Sequence, residues 1–234
     1  MEQTRIPTPA TAPRPRSDDS HLTVRKLGRA DYTPTLQAMQ QLTTERNDDT
    51  PDEIWLLEHP PVYTLGLAGK DEHLPRIDNG IPVIRIDRGG QITYHGPGQV
   101  VVYLLLDMKR RGLSVRPLVR LMEQAVIDLL AAHNVAAVYR ADAPGVYVGA
   151  AKIAALGLRI RRGCCYHGLA LNVAMDLGPF RDINPCGYEG LDVTQTRDLG
   201  IADTPDAIGG QLIEHLTRLL AATAPPTRQA HQDD

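Results

Sequence analysis

Lysine is scarce in this chain: of 25 basic residues only Lys26, Lys70, Lys109 and Lys152 are lysines, and the rest are arginine. Arginine covers most of the demand for surface cations, so a retained lysine can serve where a proton has to be lost, which arginine does not do. Lys152 fits that reading best, because it lies in the apolar context GAAKIAALGLRI. Cysteine is scarce too. Three cysteines, with Cys164 and Cys165 adjacent, exclude a disulfide framework and point to a reduced, cytoplasmic setting. Along a strand, neighbouring side chains leave on opposite faces, so Cys164 and Cys165 do not share a metal and read as structural. No Cys/His pair has zinc-finger spacing, and no metal is expected. The longest apolar run, Val100 to Leu106, is far too short to span a bilayer. The net charge of -3 offers no basic field for nucleic acid.

The first twenty residues, MEQTRIPTPATAPRPRSDDS, lack the apolar centre of a signal peptide and read as a disordered leader. Residues 223–234 read as a flexible tail, which leaves one folded domain over 21–222. Within it, LTVRKLG alternates as a first strand, and residues 31–46 carry helical spacing. EIWLLEH and PPVYTLG read as short strands around a Pro-Pro turn, and IPVIRIDRGG as a strand ending in glycines. GQVVVYLLLD reads as a buried central strand. Ser114 is expected to cap a helix running to about His133. GVYVGAAKIAALGLRIRRG predicts a hairpin with a Gly-Ala turn, and CCYHGLALNVAM a further strand. Thr204-Pro205 opens a last amphipathic helix. The elements are interspersed, mostly as hairpins rather than βαβ units. The expected class is α/β or α+β: a mixed, largely antiparallel sheet flanked by helices.

Three stretches carry chemistry. RGGQITYHGPGQ, Arg88 to Gln99, sets four glycines beside an arginine, a tyrosine and a histidine. Glycines let backbone approach a ligand. No GK[ST] follows, so this is not a phosphate loop, and a glycine-rich hairpin with a structural or merely exposed His95 would look similar. Lys152 on an apolar strand is either a cation reaching to water or an amine whose pKa is lowered by desolvation. HGLALNV and INPCGY complete the set. Asn172 in the first can be a satisfied core amide. Cys186 in the second sits between Pro185 and Gly187, a turn position where a thiol can meet substrate.

In order and spacing these blocks resemble the octanoyltransferase family, also called lipoate–protein ligase B, over roughly residues 50–195. The resemblance implies the biotin/lipoate protein ligase fold and makes the domain an acyltransferase. Such an enzyme moves an octanoyl group from octanoyl–acyl carrier protein to a lysine of a lipoyl domain. Those domains belong to 2-oxoacid dehydrogenase complexes and the glycine cleavage H protein. No cofactor, nucleic acid or membrane is implied. The resemblance makes Cys186 the thioester-forming residue and Lys152 the group that lowers its pKa. It places substrate binding at Arg88, Gly89, Gly90, Gln91, Ile92, Thr93, Tyr94 and His95, at Ala155, Leu156 and Gly157, and at Gly168, Leu169 and Ala170.

The residues agree with that chemistry. Thioester-to-amide transfer needs a nucleophile that is also a fair leaving group, and cysteine is both. A lysine with a lowered pKa could protonate the departing thiol and then take a proton from the incoming amine. Three rivals stand beside this reading. One is an ATP-dependent lipoate or biotin ligase, another a cysteine hydrolase using Cys186 with His95 or His167, and the third a binding module with a structural cysteine.

Overall fold

A computed structural model describes residues 22–141, 143–183 and 192–223. The expected leader, most of the tail and the segment from Asn184 to Leu191, which carries Cys186, lie outside the described residues.

The described elements are β1 (Leu22–Arg29), α1 (Tyr32–Glu45), β2 (Asp52–Glu58), β3 (Val62–Leu65), β4 (Val83–Arg85), β5 (Ile92–His95) and β6 (Gln99–Asp107). They continue as α2 (Val115–Ala132), β7 (Val138–Tyr139), β8 (Val146–Val148), β9 (Ala151–Arg161), β10 (Cys164–Asn172) and α3 (Pro205–Ala222). Seven strands form one sheet in the order β1-β2-β6-β10-β9-β8-β7, and β4-β3-β5 form a second. In the large sheet only β1 and β2 run parallel, and the other neighbours are antiparallel. The mixed α/β class expected from the sequence is the one observed.

β6 explains the arrangement. Its residues from Gln99 to Leu106 are all buried, which an uninterrupted apolar strand achieves only when both sheet faces are covered. On one face, Val102, Leu104 and Leu106 pack with Leu118, Met122, Val126 and Leu129 of α2 and with Ile208, Leu212, Leu216 and Leu220 of α3. On the other, Val101, Tyr103 and Leu105 pack with Trp55, Tyr166 and Met39 of α1. The short helix α1 covers only part of that second face. The small sheet, with its own core of Tyr63, Leu65, Ile92, Tyr94, Phe180 and Ile183, stands beside it. The space left between the two sheets is where the functional residues gather.

Several local expectations change. α1 joins two parallel strands, so the chain does open with a βαβ crossover. IPVIRIDRGG yields a strand of only three residues, and Ile92–His95 is a strand of its own. Ser114 precedes α2 but its side chain makes no capping bond, whereas Thr204 accepts from the Ala207 amide as an N-cap should. The hairpin between β8 and β9 turns at Gly149-Ala150 as expected, with Gly149 at φ 58°.

Candidate active site

Register across the large sheet brings the motifs together. Ala170 on β10 faces Ala155 on β9 and Val101 on β6, and Gly168 faces Gly157 and Tyr103. Asn172 faces Gln99. Segments far apart in sequence thus form one floor, from Lys152 at one end to Gly157 at the other. Above it lie Tyr32 from the start of α1, the loop around Arg88 and Gly90, and Ile92, Thr93 and His95 from β5. They line a cavity open at one mouth, and its mostly apolar wall, set with a few polar groups, suits a small-molecule site.

Every residue expected to bind substrate borders this cavity except Gly89 and Tyr94. The Gly89 amide donates to the Leu158 carbonyl at 3.0 Å and ties the loop to β9. Alternation along β5 turns Tyr94 the other way, against Tyr63 and Phe180.

Lys152 is 4% exposed. Its Nζ donates to the Pro144 carbonyl at 3.2 Å and stands 5.3 Å from the centre of the Tyr147 ring. Its backbone pairs with the chain just beyond the undescribed segment: the Lys152 amide donates to Asp192 O at 2.8 Å, and the Thr194 amide donates to Lys152 O at 3.0 Å. At the other end of that segment, Ile183 is fixed in the core of the small sheet. Phe180 and Val193, close to its two ends, both border the cavity. Gly145 makes room for the lysine. It sits at φ 141°, and a Cβ there would come within 3.0 Å of Lys152 Cε and 2.8 Å of Ala154 O.

A chain of side-chain bonds runs through the wall. The Arg88 guanidinium donates to Thr64 O at 2.8 Å, to Thr64 Oγ1 at 2.9 Å and to Gly89 O at 2.9 Å. Gln99 spends its amide hydrogens on Tyr94 O and Asn172 Oδ1, so its Oε1 accepts from His95 Nδ1 at 2.8 Å. Asn172 then donates to Thr194 O at 3.0 Å. Burial pushes the His95 imidazole down to about 3, so it is neutral near pH 7. His95 is therefore a hydrogen-bonded wall residue, and its Nδ1 proton is already committed to Gln99.

A second cluster gathers residues that no sequence motif links. His59 is buried, with Nδ1 on the Ala30 carbonyl at 2.6 Å and Nε2 on the Tyr103 hydroxyl at 2.7 Å. A carbonyl can only accept, so Nδ1 carries the proton and Tyr103 donates to Nε2. Burial pushes His59 down to about 4 and Tyr103 well above the usual phenol range. His167 adopts φ 64° in the middle of β10, and its Nε2 reaches Asp87 at 3.3 Å. That bond, together with one from the Tyr166 hydroxyl, holds Asp87 down to about 2. Tyr32 opens α1, His59 follows β2 and Tyr103 lies on β6, and no motif joins them.

The other two cysteines are far from nucleophilic. Burial pushes the Cys165 thiol up to about 12, and its Sγ donates to Leu104 O at 3.3 Å. Cys164 is also buried and raised. No group of three or more metal-ligating side chains occurs among the described residues. No described helix is long and apolar enough to cross a membrane.

Residues 31–217 match the family model of the lipoyl protein ligase A/B catalytic domain. An octanoyltransferase of Azoarcus sp. (strain BH72) is 62% identical over 207 residues, 88% of this chain and 91% of that one. That of Aromatoleum aromaticum is 61% identical over 220 residues, 94% of each chain. Among solved structures, lipoate-protein ligase A bound with ATP aligns with a TM-score of 0.64 at 16% identity, over 85% of both chains. The archaeal bipartite lipoate protein ligase from Thermoplasma acidophilum aligns with a TM-score of 0.65 at 17% identity, over 86% of this chain and 84% of that one. These two likenesses establish the shared fold. With the family model spanning most of the chain and relatives above 60% identity, the chain belongs to the lipoyl protein ligase A/B catalytic-domain family and, within it, to the octanoyltransferases, which are acyltransferases.

Proposed function

We propose that this acyltransferase takes its octanoyl group from the thioester of octanoyl–acyl carrier protein and places it on a lysine of a lipoyl domain, with Cys186 carrying the acyl group between the two. The observation that carries the reading is Lys152: a buried amine at the end of an apolar cavity, with its backbone bonded to Asp192 and Thr194, six and eight residues after Cys186 in the chain. In the first half-reaction the Cys186 thiolate adds to the thioester carbonyl. The pantetheine sulfur then leaves, and Lys152 as ammonium gives it a proton. In the second, the target lysine's amine adds to the Cys186 thioester, Lys152 as neutral amine takes the surplus proton, and the Cys186 thiolate departs. Atoms and protons balance over the cycle with no nucleotide.

The acyl chain lies over Ala155, Ala170 and Val101. Arg88, Gly90, Gln91, Ile92, Thr93 and His95 close the space above it. The acceptors in this reading are the lipoyl domains of 2-oxoacid dehydrogenase complexes and the glycine cleavage H protein, and the setting is cytoplasmic. Two buried free cysteines accord with a reducing compartment.

The test is a transfer assay with purified protein, octanoyl–acyl carrier protein and an apo lipoyl domain, without ATP. Octanoylated lipoyl domain is the expected product. A requirement for ATP would favour a ligase. Free octanoate released without an acceptor would favour a hydrolase.

A further inference from the structure

The cavity floor is graded. Asn172 and Gln99 face each other at one end, with Lys152 just beyond them on β9, and the next rank inward holds Ala155, Ala170 and Val101. The third rank is Gly157, Gly168 and Tyr103. Polar side chains thus give way to small apolar ones, then to bare backbone with one large ring standing beside it. From the first rank to the third is four residues on both β6 and β10, or ~13 Å at the usual rise of a strand.

An octanoyl chain has seven C–C bonds of about 1.5 Å and so spans at most ~10 Å. With its carbonyl at the first rank, the terminal methyl falls ~3–4 Å short of the third, which is van der Waals contact. The wall at that point is braced from behind. The Tyr103 hydroxyl is held by His59 at 2.7 Å, and His59 by the Ala30 carbonyl at 2.6 Å. The methylene stem of Arg88 lies over Gly157, where a Cβ would approach Arg88 Cδ to 3.0 Å, while its guanidinium is anchored on Thr64 and Gly89. Neither group can swing aside without breaking buried hydrogen bonds.

We infer that Tyr103, braced by His59, and the Arg88 stem over Gly157 form the end wall that sets acyl chain length. This rests on the reading that the donor acyl chain occupies this cavity with its carbonyl near Lys152. The wall selects by contact: a shorter chain leaves space unfilled, and a longer one must displace a braced ring.

The test compares kcat/KM for hexanoyl-, octanoyl- and decanoyl-acyl carrier protein within each variant, so that any loss of folded protein cancels. Tyr103→Val removes the ring and should raise the decanoyl-to-octanoyl ratio by at least ~10-fold, the scale at which a hydrophobic pocket discriminates by chain length. Gly157→Ala keeps Tyr103, adds a methyl to the wall, and should raise the hexanoyl-to-octanoyl ratio by a similar factor. It also carries the test should Tyr103→Val fail to fold. Ala155→Leu obstructs the middle rank and should depress octanoyl and decanoyl transfer relative to hexanoyl. If Ala155→Leu shifts the ratios but the two end-wall variants leave them unchanged, the end wall does not set length, though the cavity holds the chain. If all three leave the ratios unchanged, the acyl chain lies elsewhere, and the site reading falls with the proposal.

Discussion

Gln99 donates its side-chain amide to Asn172 Oδ1 at 3.0 Å, and Asn172 donates in turn to Thr194 O at 3.0 Å. Thr194 is hydrogen-bonded to the backbone of Lys152. The two amides therefore join the glycine-rich motif to the strand that carries the lysine. Asn172→Asp should break this link, because an ionised carboxylate cannot donate and would face the Thr194 carbonyl. Leaving buried polar groups unpaired costs about 1–3 kcal/mol each. The expected result is a lower melting temperature and reduced octanoyl transfer. Asn172→Ala should retain more stability than Asn172→Asp, since it removes the side chain without adding a charge. Thermal unfolding and turnover of the two variants check this, and a stable, fully active Asn172→Asp protein would show the link to be dispensable.

Lys152 tests whether charge alone suffices. Lys152→Arg keeps a cation but cannot release and recover a proton near neutral pH. The guanidinium must also fit beside the Tyr147 ring and the Pro144 carbonyl that the lysine now touches. Loss of general acid–base help should lower turnover about 10²–10⁴-fold, and Lys152→Ala should lose at least as much. The enzyme acylation step and complete transfer should be timed separately. Near-normal turnover in Lys152→Arg would remove the proton-shuttling role.

Stability should fall in mild acid. His59 and His95 are held down by burial, to about 4 and about 3. An unfolded histidine titrates near 6.5. Below that pH the unfolded chain binds protons that the folded one refuses, so stability drops as pH falls from about 6.5 toward 4. At pH 5 each histidine contributes up to about 2 kcal/mol to that loss. Asp87, held down to about 2, adds its own loss only below the ordinary carboxylate range. Denaturant unfolding at pH 7 and pH 5 should show the drop, and His59→Gln should make it smaller. An equal pH dependence in that variant would mean His59 is not refusing a proton.

Much of the architecture was legible because patterns are local. The uninterrupted apolar run from Val100 to Leu106 marked the doubly covered central strand, and the Gly-Ala turn before Lys152 marked the hairpin. Direction was not legible: nothing in residues 22–58 says that the strands on either side of α1 run parallel, since periodicity reports burial and not neighbours. Within the site, most residues carried by motifs border the cavity; Gly89 and Tyr94 do not, Tyr94 because alternation on β5 turns it against Tyr63 and Phe180. Tyr32, His59 and Tyr103 were out of reach, because their relation exists only after α1 and β6 have packed. The left-handed backbone of His167 gives no local signal either: histidine visits that region more than most residues, but most histidines do not adopt it.

The central claim is that Cys186 carries the acyl group, and intact-mass spectrometry tests it most directly. The protein is mixed with octanoyl–acyl carrier protein in the absence of acceptor and quenched in acid. The wild type should gain the mass of one octanoyl group and lose it when lipoyl domain is added. Cys164→Ala and Cys165→Ala should still gain it, because both thiols are buried and raised. Cys186→Ala should gain nothing and transfer nothing. An octanoylated lipoyl domain formed by Cys186→Ala at the wild-type rate would contradict the account.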